Sequence, residues 1–120
     1  MRCTTRQKGW EGEEIAVNFL KGQGYHVKER NFRCPLGEID IVAEEGGEIV
    51  FVEVKARSSS AFGFPQESVD MRKQERLRRV ASFYLKERKL YGQPCRFDVV
   101  GVWLNARGDV INIELIRGAF

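Results

Sequence analysis

Residues 38–57 read as two strands folded back on one another, and no other stretch limits the fold as strongly. The first run carries Ile39, Ile41 and Val42, the second alternates and is rich in valine, and Gly46-Gly47 between them has the composition of a two-residue hairpin turn. A turn at that place sets the register. Asp40 falls directly across from Glu53, and Val42 across from Phe51, with paired Cβ atoms only ~5 Å apart on one face. The period of two then puts Glu53, Lys55 and Arg57 on the Asp40 face and Val50, Val52 and Val54 on the other.

The remaining elements are arranged around this hairpin. The spacing of Ile15, Ala16, Val17, Phe19 and Leu20 predicts an amphipathic helix over 10–23, ended by Gly22 and Gly24. A strand is expected over 25–33, closed by Pro35 and Gly37. Residues 58–66, with three serines, Gly63 and Pro65, read as a mobile loop. Asp70 is the expected N-cap of a long helix reaching about Leu90, with Leu77, Val80, Ala81, Tyr84 and Leu85 as its core stripe. Two more strands are expected, a nearly all-apolar one over 99–104 and a last one over 110–116. The order is therefore α-β-β-β-α-β-β. The crossover through the long helix makes the third and fourth strands parallel neighbours in one mixed sheet.

A chain of 120 residues is one domain of ordinary size. Its 42% hydrophobic residues allow a real core, yet no stretch reaches the ~18 apolar residues of a membrane span. The basic start leads into no apolar segment of the secretory kind. Cys3, Cys34 and Cys95 are odd in number and widely spaced, which excludes a disulfide framework and a zinc ribbon and fits a reducing cytoplasm. A net charge of +3 permits a polyanionic partner without demanding one.

Two carboxylates facing each other in a half-buried sheet repel, so a chain that keeps them there is expected to place a cation between them. Ligation by oxygen alone favours Mg²⁺ or Mn²⁺ over zinc. Glu13 lies on the apolar side of the first helix, whereas Glu14 faces water. A core-facing carboxylate is costly unless paired or coordinated. Two rival roles stay open. Asp40 and Glu53 could be strand charges neutralised by Lys55 and Arg57, and Glu38 is a second candidate partner for Lys55.

The segments Gly12-Glu13, Gly24-Tyr25, Arg30-Asn31, Gly37-Glu38-Ile39-Asp40 and Phe51-Val52-Glu53-Val54-Lys55 resemble the signature of the YraN-like family. The similarity continues through Arg72-Lys73-Gln74, Ala81 and Phe97-Asp98, nearly the whole chain. That family in turn resembles the PD-(D/E)xK nucleases, which include restriction endonucleases and archaeal Holliday-junction resolvases. Asp40…Glu53-x-Lys55 matches their core pattern, although Ile39 stands where the motif's proline would be. The resemblance implies a three-layer α/β/α, restriction-endonuclease-like domain with a five-stranded mixed sheet. It also implies a metal-dependent endonuclease or resolvase-like activity on DNA. Asp40, Glu53 and the backbone carbonyl of Val54 would hold Mg²⁺ or Mn²⁺, with Glu13 as a supporting ligand, and Lys55 would orient the attacking water.

On the long helix Arg72, Arg76, Arg79 and Lys86 share an outward face that could track a phosphate backbone, or could simply be solvated. Arg57 extends the same basic surface from the sheet. Lys73 falls on the core-facing side, placed either to reach phosphate or to snorkel. The rival to catalysis is a non-catalytic nucleic-acid-binding module working in a complex, and the short chain leaves room for a second copy or a protein partner. The two readings differ on stability. If Asp40 and Glu53 repel across an empty cation site, Glu53→Gln is expected to raise stability or at least not lower it; if Glu53 is instead a structural partner of Lys55, stability should fall. Asp98 opens an apolar strand, placed either to cap it or to hold Arg96, and no chemistry is assigned to it.

Overall fold

Gly46 and Gly47 have φ of 60° and 84°, the pair of positive values a two-residue hairpin turn requires and that side chains other than glycine resist. The computed structural model describes residues 4–58 and 69–120, with side chains from Gly12 onward in the first stretch. The elements are α1 (Thr4–Gly22), β1 (His26–Cys34), β2 (Gly37–Glu45), β3 (Glu48–Ser58), α2 (Met71–Glu87), β4 (Cys95–Leu104) and β5 (Val110–Ile116). The expected loop after Ser58 and the side chains of Cys3 and Trp10 lie outside the described residues.

The hairpin register is the expected one from Glu45 opposite Glu48 to Ile41 opposite Val52, but the ladder ends there, so Asp40 and Glu53 are not a paired couple of the sheet as expected. The five strands lie in the order β1-β2-β3-β4-β5, with β3 and β4 parallel and every other pair antiparallel. This is the mixed five-stranded sheet the crossover helix calls for. Ala16, Val17 and Leu20 of α1 pack with Ile41, Ala43, Val50, Val52, Val100 and Val102 on one face. Leu77, Val80, Ala81 and Tyr84 of α2 pack with Ile39, Val42, Ile49, Phe51 and Val99 on the other. The result is a three-layer α/β/α domain of the restriction-endonuclease-like kind. Among the described residues, no helix is long and apolar enough to cross a membrane.

Three boundaries differ from expectation. The first helix begins at Thr4, six residues before Trp10. The second ends at Glu87, because Lys89 takes a left-handed φ of 56° and the amide of Leu90 turns back to the carbonyl of Leu85. The fourth strand starts at Cys95, since Arg96 and Asp98 are paired polar residues inside the ladder. Asp98 is fully buried and accepts hydrogen bonds from Tyr25 Oη at 2.7 Å, Arg96 Nε at 3.0 Å and the Gly118 amide at 3.0 Å. Arg96 also pairs with Glu45, and with Glu48 at 2.7 Å. Asp98 is therefore a structural clasp between the α1–β1 connection, β4 and the segment after β5.

Candidate functional site

Beyond Ile41–Val52 the β2–β3 pairing ends, whereas β3 stays paired with β4 as far as Ser58–Leu104. At this fork Ile39 packs on the α2 face and Ile41 on the α1 face, although two residues apart on one strand should share a face. The alternation breaks at Asp40. Its carboxylate takes over from the lost ladder: the Val54 amide donates to Asp40 Oδ2 at 2.8 Å.

Glu53 leaves β3 on the α2 side and is 9% exposed. Lys73 Nζ lies 2.6 Å from Glu53 Oε2, and Lys55 Nζ lies 3.3 Å from the same oxygen. The two lysines arrive from different elements. Lys55 follows Glu53 by two residues along β3, so it shares its face. Lys73 is brought in by the start of α2, where Asp70 Oδ1 accepts the Lys73 amide at 2.9 Å and caps the helix. Glu38, the other candidate for Lys55, pairs instead with Arg33 at 3.4 Å.

From the opposite face α1 closes on the same fork. A side chain at Gly12 would place its Cβ 3.2 Å from that of Ala56, so glycine permits the close approach. One residue on, Glu13 carries an Oε1 that is buried without a hydrogen-bond partner among the described residues. Burial raises the proton affinity of Glu13, while the Asn31 amide and Arg30 pull it down.

The electrostatics follow from this crowding. Burial, then the charge of Glu53, push Asp40 up to about 7, with Glu13 adding to the effect and the Val54 amide opposing it. Burial and the nearby Lys73 lower the proton affinity of Lys55, against the pull of Glu53. Burial is the largest single influence on Lys73 and works against its charge, but the hydrogen bond to Glu53 together with the negative charges of Glu53 and Asp40 raises its proton affinity overall.

Asp40, Glu53, Lys55, Lys73 and the Val54 backbone thus come together at the fork, and Glu13 stands close enough to bear on Asp40. The outward arginines do not join them. Arg72, Arg76 and Arg79 are exposed along α2, Arg79 is 3.9 Å from Glu75, and Arg76 lies alongside Gly37. Arg57 is half-buried farther along β3, beside Trp103 of β4. The sequence left open whether Lys73 reaches the site. The cap at Asp70 is the local signal, because it fixes Lys73 in the first turn on the side that faces β3.

Among the described residues, no three His, Cys, Asp or Glu side chains already form a metal-holding group. The donors that are present suit a hard divalent cation. The side chains are carboxylates only, one has its proton affinity raised by burial and by its neighbours, and another has an orphaned buried oxygen. In this arrangement the two ammonium groups supply the positive charge on Glu53.

The model of "Uncharacterised protein family UPF0102" matches residues 12–102, a span that includes every acid and lysine of the fork. A UPF0102 protein of Moorella thermoacetica is 58% identical over 120 residues, covering 100% of both chains. One from Caldicellulosiruptor saccharolyticus is 51% identical over 115 residues, 96% of this chain and 98% of its own. One from Persephonella marina is 44% identical over 113 residues, 94% and 92% respectively.

Proposed function

The chain belongs to the UPF0102 family, the YraN-like family its motifs resemble, and from that premise we propose that it hydrolyses phosphodiester bonds in DNA with Mg²⁺ or Mn²⁺. The observation that carries this reading is the fork itself: Asp40 and Glu53 crowd together where β2 and β3 part, with Lys55 and Lys73 on Glu53. Asp40, Glu53 and the carbonyl of Val54 would hold the ion, and Glu13 would support them. The ion would supply Lewis acidity at the phosphate. Lys55, an ammonium donor next to the acids, would orient the attacking water and stabilise charge developing on the phosphoryl oxygens. Arg72, Arg76, Arg79 and Arg57 would hold the phosphate backbone on either side of the cleaved bond.

A second reading has its own support. Both lysines already pair with Glu53, so this carboxylate has its cations without a metal, as it would in a non-catalytic nucleic-acid-binding module. The deciding experiment incubates single-stranded, duplex, flapped and four-way DNA with the protein and Mg²⁺ or Mn²⁺. Metal-dependent cleavage lost in Asp40→Asn supports hydrolysis. Salt-sensitive binding without cleavage supports the module, and neither result would discard a nucleic-acid role.

A further inference from the structure

Glu53 holds two cations on one oxygen, and they are not equivalent. Lys55 sits within β3, whose backbone is paired with β4 at Gly101. Lys73 makes the shorter contact, 2.6 Å against 3.3 Å, and its side chain is the more exposed of the two, 30% against 20% for Lys55. Its backbone is fixed by the Asp70 cap, but the four-carbon stem is free to swing toward water. A divalent ion taken up at Glu53 must compete for Oε2, and an ammonium and a metal ion repel at that separation. The cation with the wider route to solvent is the one that yields.

We infer that Lys73 is a place-holder: it neutralises Glu53 in the free protein, leaves when a divalent ion is taken up, and then takes a phosphate of the nucleic-acid backbone. This rests on the metal-dependent reading above and adds to it a coupling between the two ligands. An anion that draws Lys73 off Glu53 favours uptake of the ion. By linkage, the ion favours binding of the anion to the same degree. Lys73 is a positioning residue in this scheme, and the chemistry stays with the groups at the fork. Arg72, next to it on α2 and exposed, would receive the same strand.

The test measures Mn²⁺ affinity by calorimetry or electron paramagnetic resonance, with and without a DNA duplex, in wild type, Lys73→Met and Lys73→Arg. Without DNA, Lys73→Met is expected to bind Mn²⁺ about tenfold more tightly, a change of about 1.4 kcal/mol. DNA should tighten Mn²⁺ binding in wild type and Lys73→Arg but not in Lys73→Met. Equal Mn²⁺ affinity in wild type and Lys73→Met would overturn the place-holder while leaving the metal site standing. Weaker binding in Lys73→Met would overturn it too, making Lys73 a support for the ligands. If no form binds Mn²⁺, the metal-dependent reading fails and the place-holder falls with it. Should Lys73→Met not fold, Lys73→Gln, which keeps a hydrogen-bond donor without the charge, serves in its place with the same outcomes.

Discussion

The Val54 amide donates to Asp40 Oδ2 at 2.8 Å at the point where β2 and β3 separate. A side chain therefore takes the backbone donor that a continued ladder would have used at Ile39–Val54. The bond fixes the carboxylate of Asp40 at the fork, where burial and Glu53 hold its proton affinity up to about 7.

That shift gives a pH dependence with a definite sign. Between its ordinary value of 3.8 and about 7, folded Asp40 keeps a proton that the unfolded chain has released. Stability contributed by this group is full below the lower value and declines as pH rises through the window. Asp40→Asn keeps an acceptor for the Val54 amide and removes the titration. Its melting temperature is expected to match wild type near pH 4 and exceed it near pH 7.5. A gain of about 1 kcal/mol corresponds to about 4–6 °C. A difference that does not change with pH would refute the assignment.

Glu53→Gln should have the opposite effect. Its carboxylate neutralises Lys55 and Lys73, so the amide leaves two half-buried ammonium groups facing each other. A loss of about 1–3 kcal/mol is expected at pH 7, read as a lower denaturation midpoint. The repulsion between the two acids therefore falls on Asp40, and Glu53 is the lysine-paired member.

Tyr25→Phe removes the hydroxyl that donates to buried Asp98 at 2.7 Å. The expected cost is about 1.5–3 kcal/mol, since the acceptor is charged. Amide hydrogen exchange should quicken at Gly118 and Ala119, which are held by Asp98 and by the Phe97 carbonyl. Unchanged protection there would mean the clasp does not depend on Tyr25. The Tyr25 phenol is itself pushed up to about 12 by burial and by Asp98, so the clasp should persist well into alkaline solution.

If α2 tracks a phosphate backbone, replacing Arg72, Arg76 and Arg79 together with alanine should reduce the slope of log affinity against log salt by roughly 2–3. All three are exposed, so the melting temperature should stay within about 2 °C of wild type. An unchanged slope in fluorescence anisotropy would make this face a solvated surface only.

Local chemistry determined much of this protein. Gly46-Gly47 and the strands around it set the β2–β3 register, because a two-residue turn leaves one pairing and a one-residue slip would turn every buried side chain outward. The helix periodicity placed Glu13 inward, and Asp70 placed the start of α2. Tertiary structure decided what these placements mean. No spacing in the chain says that Lys73 reaches Glu53, because the two lie on different elements whose distance depends on how α2 packs over β2 and β3. Nor could it show that the ladder stops at Ile41–Val52, since the alternating pattern of β3 runs on unbroken past that point. Asp98 looked unassignable for the same reason: its partners, Tyr25 and Gly118, lie far from it along the chain, and only the folded sheet brings them to one buried carboxylate.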